Sequence, residues 1–221
     1  DTSATVRVLS VVAERYKDAP CVTGLCVINE PSNDVPSDQL IAFYRSAYKA
    51  VRAAGMPEGR VDVLFPAFQR NFGEFTSRSF PDAGMERAVM DLHQYQCFGD
   101  SWTALTLKQH LDRASDGAGH WPGMVDVASA GVLCAVSEWS LRLPDWDPSY
   151  GMAAEWSKMS EEQRSAALRE YGKRQVAQYE AGVGFFFWCW KVDTPQEPWW
   201  SAVECIERGW LDAADWVKRV R

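Results

Sequence analysis

The sequence predicts an α/β fold built on a parallel sheet. Five short apolar runs, rich in β-branched and aromatic residues, are bounded by Gly, Pro or polar residues. They are continuous and not alternating, the pattern of strands covered on both faces. Helical patterns separate them, and strands that alternate with helices form parallel sheets. Strand starts recur at roughly 30 to 50 residues, near the length of one βα unit with functional loops.

In order, residues 4–16, "ATVRVLSVVAERY", read as a helix already under way. With no initiator methionine and no signal peptide before it, the chain is expected to begin in mid-architecture. The first strand is "CVTGLCVI" at 21–28. Ser37 is expected to cap a helix with Leu40, Ile41, Tyr44, Ala47, Tyr48 and Val51 on one face, ended by Gly55. "VDVLFPAF" at 61–68 is the second strand, 71–86 a loop, and "AVMDLHQYQCF" at 88–98 the third strand. A short helix at 106–114 and a loop at 115–125 lead to "VLCAVSEW" at 132–139. After a loop at 141–157, Ser160 and Gln163 form a capping box for a helix through Leu168, Tyr171 and Tyr179. "GFFFWCW" at 184–190 is the fifth strand, and a helix from about 201 to 220, broken near Gly209, closes the chain.

Composition narrows the function. The 221 residues are 47% hydrophobic and 24% charged, with a net charge of -7. There is no basic cluster to hold nucleic acid, and no apolar run long enough to span a bilayer. Six cysteines include no C-x-x-C pair, and only three histidines are present, so neither a metal nor another cofactor is expected. Most cysteines lie in apolar runs and are expected to be buried free thiols. Eleven tryptophans suit a large core, but also sugar binding, where flat rings stack on pyranose faces.

The polar residues gather at one end of the strands. Asn29 and Glu30 close the first run, His93 and Tyr95 sit late in the third, Glu138 closes the fourth, and Trp188 and Trp190 close the fifth. In a parallel barrel these C-terminal ends meet on the catalytic face. Two carboxylates among aromatics, with few cations, suit glycoside hydrolysis. One must hold a proton for the leaving oxygen and the other must be ionised to attack. Singly, each feature has a plainer origin: a glutamate is often a solvated strand end, and a tryptophan or histidine is often core. Their arrival together at one end of four runs favours the functional reading.

"INEP" at 28–31, "HQYQCF" at 93–98, "SEWS" at 137–140 and "FFWCWK" at 186–191 stand in the order and spacing of glycoside hydrolase family 5. The chain resembles most its eukaryotic exo-β-1,3-glucanase branch, to which "AFQ" at 67–69 and "PWWS" at 198–201 also correspond. The resemblance implies a (β/α)8 TIM-barrel type fold and a retaining, two-step mechanism without cofactor. By motif, Glu30 resembles the general acid/base, Asn29 the partner of the sugar 2-hydroxyl, and Glu138 the nucleophile. His93 and Tyr95 resemble the pair that orients the nucleophile, and Trp188, or Trp190, the aromatic floor. Phe98 and Phe68 resemble aromatics at the entrance. Pro66 departs from an aspartate common before "AFQ", and Ser137 from a glycine common before the nucleophile.

In this family the N-E-P motif ends strand four, yet here it arrives at residue 29. By resemblance, residues 1–221 are therefore a single incomplete barrel domain, strands four to eight with their helices. Its two end strands are expected to be open edges prone to self-association. The implied substrate is a β-glucan or β-glucoside. The alternatives are an inactive sugar-binding remnant or another family specificity, such as glycolipid β-glucosidase, endo-glucanase or mannanase. The family implies an extracellular or cell-wall setting, while cysteines without N-x-S/T sequons also allow an intracellular one.

Overall fold

Asp1 opens the first helix: its side chain accepts the Ser3 amide at 3.0 Å, so α1 spans Thr2–Tyr16. The computed structural model describes residues 1–116, 124–149 and 151–213. After α1 come β1 (Gly24–Cys26), α2 (Ser37–Ala53), β2 (Asp62–Pro66), α3 (Gly73–Thr76) and β3 (Ala88–Gln94). Then follow α4 (Asp100–Thr103), α5 (Leu107–Asp116), α6 (Met124–Ser129) and β4 (Leu133–Trp139). The last are α7 (Gly151–Trp156), α8 (Glu161–Tyr179), β5 (Phe185–Phe187), a 3₁₀ turn (Pro198–Trp200) and α9 (Ala202–Glu207).

The strands form one parallel sheet in the order β1-β2-β3-β4-β5. Parallel neighbours need a crossover, and helices between the strands supply it. This is the expected α/β architecture of an incomplete (β/α)8 barrel. Two compact units divide the chain: Asp1–Leu92 with Asp126–Ala135, and His93–Val125 with Val136–Arg221.

In the first unit, α2 lays Leu40, Ile41, Tyr44, Ala47, Tyr48 and Val51 against the sheet, all buried as its periodicity predicts. Tyr44 meets Phe65 of β2 at 5.2 Å and Phe80 at 5.6 Å. Its hydroxyl donates to the Pro66 carbonyl at 2.6 Å, and burial holds its pKa well above the phenol range. Gly55, at φ +98, ends the helix in the left-handed conformation that glycine adopts without penalty.

The second unit is organised by α8, whose capping box is present as expected. Trp139, fully buried, meets Phe187 at 4.9 Å and Tyr179 at 5.5 Å. Gln175 of α8 donates to the Ser140 carbonyl at 3.2 Å and accepts the Tyr179 hydroxyl at 3.0 Å. These contacts fasten the exit of β4 to a long helix.

Four expectations need correction. Ser37 does not cap α2: its hydroxyl pairs with Glu74 and accepts from Arg70, and Pro36 holds the cap position. The first and fifth strands are not covered on both faces. β1 reads exposed, half-buried, exposed, and Phe186 of β5 is 61% exposed, because each strand has one sheet neighbour. Cysteines are not mostly buried: Cys97, Cys134 and Cys205 are, while Cys21 and Cys26 are exposed and Cys189 is half-buried. Two segments read as loops carry the short helices α3 and α7, and α6 runs from the end of the loop expected at 115–125 toward β4, where no element was expected; each is too brief to show a helical period. Of the last expected helix, 202–207 is helical and Gly209 at φ +68 breaks it, while its end lies outside the described residues.

His110 of α5 gives the second unit a pH dependence. It is fully buried, bonded through Nδ1 to Gln96 Oε1 at 2.8 Å and stacked on Trp102. Burial pushes its pKa from 6.5 down to about 4. Above the unfolded value both states are neutral. As pH falls through it, the unfolded chain takes up a proton that the folded chain refuses, so stability declines until the folded pKa is passed. Between pH 7 and pH 5 the chain should lose about 2 kcal/mol through this group. Urea unfolding at both pH values should show that loss in the native sequence and not in His110→Gln. Equal slopes would assign the dependence to other groups.

Candidate active site

In the first unit the chain leaves β1 through Val27, 2% exposed, whose amide donates to the Leu64 carbonyl at 3.1 Å. Asn29 is exposed and Glu30 half-buried. Glu30 has φ +35, a left-handed conformation costly for a residue with a Cβ, and Pro31 follows it. Such strain persists only where the surroundings impose it, and it concentrates at functional positions. Here Arg70 fastens the following loop: it is 5% exposed and donates to the Ser32 and Val35 carbonyls at 2.8 and 2.7 Å. Asn33 donates to Gln69 at 2.8 Å, and Gln69 is itself left-handed at φ +50. Phe68 is half-buried just past β2. The sequence reading passed over Arg70, since a lone arginine after "AFQ" looks like surface charge.

In the second unit the sequence candidates converge on Glu138. His93 and Tyr95, two residues apart at the exit of β3, share one side of the strand. The Tyr95 hydroxyl donates to Glu138 Oε2 at 2.8 Å, and His93 Nδ1 lies 3.4 Å from the same oxygen. The side chains of His93 and Glu138 are 2% and 13% exposed, so this polar cluster is largely withdrawn from water. Strand alternation turns the next residue, Trp139, into the core.

Aromatic rings surround this carboxylate's partner. Phe98 and Trp200 each lie 5.4 Å from Tyr95, and stack on one another at 6.0 Å. Phe98 is 60% exposed. Trp188 and Trp190 are 51% and 68% exposed, which excludes the core role that tryptophans most often have. Large open aromatic faces of this kind can stack on sugar rings. Trp200 was not singled out in the sequence, although "PWWS" was; nothing in two adjacent tryptophans says which one faces the polar cluster.

The post-β4 segment is latched by Arg142. Its guanidinium lies 4.6 Å from the centre of Trp199 and 5.5 Å from that of Trp146, and pairs with Asp145 at 2.5 Å and Glu197 at 3.3 Å. The Leu141 amide donates to the Trp199 carbonyl at 3.2 Å. The 3₁₀ turn is thereby joined to the strand that carries Glu138.

Curated proteins similar to this chain share most of its length. A glucan 1,3-beta-glucosidase of Candida oleophila is 26% identical over 224 residues, covering 89% of this chain and 51% of the relative. Those of Lachancea kluyveri and Schizosaccharomyces pombe are 27% and 25% identical, covering 83% and 93% of this chain and 46% and 51% of theirs. The chain is thus similar to glucan 1,3-beta-glucosidases over most of its length. It spans about half the length of these relatives. No protein-family model matches it. Among solved structures, an endoglucanase superposes with TM-score 0.54 at 16% identity, covering 94% of this chain and 66% of that one. Endo-glycoceramidase II from Rhodococcus sp. superposes with TM-score 0.50 at 17% identity, covering 86% and 41%. At these identities the likeness is one of fold. Among the described residues, no helix is long and apolar enough to cross a membrane.

Proposed function

We propose that the chain carries the catalytic carboxylates of a retaining glycoside hydrolase that removes glucose from β-1,3-glucan. The observation that carries this reading is the setting of Glu138: a strand-end carboxylate, 13% exposed, held by the Tyr95 hydroxyl at 2.8 Å, in a chain similar to glucan 1,3-beta-glucosidases.

In this reading Glu138 attacks the anomeric carbon while Glu30 gives its proton to the glycosidic oxygen. The carbon–oxygen bond breaks, the shortened glucan leaves as an alcohol, and a glucosyl ester forms on Glu138. Glu30, now ionised, takes a proton from water; the water oxygen attacks the same carbon, and Glu138 is released as a carboxylate. Two inversions give net retention, which requires the two carboxyl groups to lie about 5 Å apart. Tyr95 and His93 hold Glu138 in one rotamer for in-line attack. Asn29 bonds the sugar 2-hydroxyl, Trp188 or Trp190 supports the bound ring, and Phe98 and Phe68 grip the next sugar.

The test is the stereochemistry of the first product. With a β-1,3-linked glucose oligosaccharide, proton NMR should show β-glucose appearing first and α-glucose only by later mutarotation. α-Glucose first would remove the covalent intermediate. Binding of the oligosaccharide without hydrolysis would favour a sugar-binding remnant.

A further inference from the structure

We propose that Trp200 is a positioning residue: it clamps the Tyr95 ring so that the phenol reaches Glu138. The assignment of Glu138 as nucleophile rests on the function proposed above; the clamp itself does not.

A tyrosine bonds a fixed acceptor only while its ring is held in one orientation. Tyr95 lies just past the end of β3, where strand pairing no longer fixes it. Phe98 packs against it edge-on, with an interplanar angle of 80°, but Phe98 is 60% exposed and is a weak buttress alone. Trp200 supplies the second contact, at 5.4 Å and 58°, and stacks on Phe98 at 27°. Aromatic pairs at such distances stabilise their geometry beyond what area burial alone gives. Two of them together are comparable in strength to the hydrogen bond they orient.

Trp200 can act as a buttress because its own backbone is fixed. The Cys189 amide donates to its carbonyl at 2.6 Å, and its amide donates to the Glu197 carbonyl at 3.2 Å. Next door, the Ala202 amide donates to the Cys189 carbonyl at 2.9 Å. On the other side Trp199 is gripped by Arg142 and by the Leu141 amide. The exits of β4 and β5 thus both hold the turn that presents the indole. Adjacent tryptophans divide the work: Trp199 is the anchor and Trp200 the clamp.

The chain labelled with 3-fluorotyrosine gives a test that needs no turnover. Tyr95→Phe identifies the Tyr95 resonance among the seven tyrosines. In the native sequence, Glu138→Gln should move that resonance, because the acceptor of its hydroxyl changes. In Trp200→Ala the same Glu138→Gln change should leave it unmoved, with the other resonances in place to show a folded chain. Trp200→Phe, which keeps an aromatic buttress, should restore the response. A Tyr95 resonance that still follows Glu138 in Trp200→Ala overturns the clamp. So does failure of Trp200→Phe to restore what Trp200→Ala removes, since the indole would then serve something other than ring packing. Neither result touches the stereochemical test of the reaction, so the two proposals fail separately.

Discussion

Glu138→Gln should abolish covalent labelling by a 2-deoxy-2-fluoro-glucosyl fluoride and lower kcat/KM on β-1,3-glucan by about 10⁴-fold or more, about 5 kcal/mol of barrier. The substitution is nearly isosteric, so the fold should tolerate it. What it removes is chemical: an amide oxygen is a poor nucleophile, and the glucosyl ester has no carboxylate on which to form. The surroundings argue that this carboxylate is the one used. It leaves a strand whose next residue, Trp139, is locked into the core by Phe187 and Tyr179. Its own side chain is held by Tyr95 and His93. A solvated strand-end glutamate would show neither the locked neighbour nor two convergent partners. Peptide mapping should place the label on Glu138 in the native sequence. A label that survives Glu138→Gln at the native rate would transfer the nucleophile to another residue and leave this cluster a structural network.

How much of this was legible in the sequence depends on the distance over which each signal acts. The five strand positions were, because apolar β-branched runs record local burial. Their ends were less so: β1 occupies 24–26 of an expected 21–28, since a strand paired on one side frays. The Ser160–Gln163 capping box was legible because both partners lie within one turn. Ser37 misled for the opposite reason: its hydroxyl is taken by Glu74 and Arg70, more than thirty residues away. In the candidate site, Glu138, His93 and Tyr95 could be grouped because motif order places them at strand exits. Trp200 and Arg70 could not, since Trp200 matters through the Tyr95 ring it packs against and Arg70 through the loop it pins, and both are tertiary facts. The exposure of Trp188 and Trp190 agrees with their functional reading, which rested on their place at a strand exit beside other polar and aromatic candidates and not on either tryptophan alone.

Glu30→Ala should discriminate between leaving groups. On a β-1,3-glucan the departing alkoxide is a strong base and needs a proton, so kcat/KM should fall by about 10³-fold, within the range of general acid catalysis. On a dinitrophenyl β-glucoside the departing phenolate is stable, so formation of the glucosyl ester should change by less than about 10-fold. Its later hydrolysis should slow, because no base remains to activate water, and a burst of phenolate followed by a slow phase should be seen. Parallel loss on both substrates would mean that Glu30 only supports the structure. The conformation of Glu30 makes the distinction sharp. At φ +35 before Pro31, it carries backbone strain that a merely solvated strand end has no reason to keep. Alanine shares the Cβ penalty at that angle, so Glu30→Ala should leave the backbone as it is and remove only the carboxyl group. Glu30→Gly should relax the strain as well. If Glu30 is the acid, both variants should lose glucan turnover alike, while Glu30→Gly unfolds at a higher urea concentration than Glu30→Ala. Strain that is relieved without any recovery of activity would tie the cost of this turn to where it sends its carboxylate.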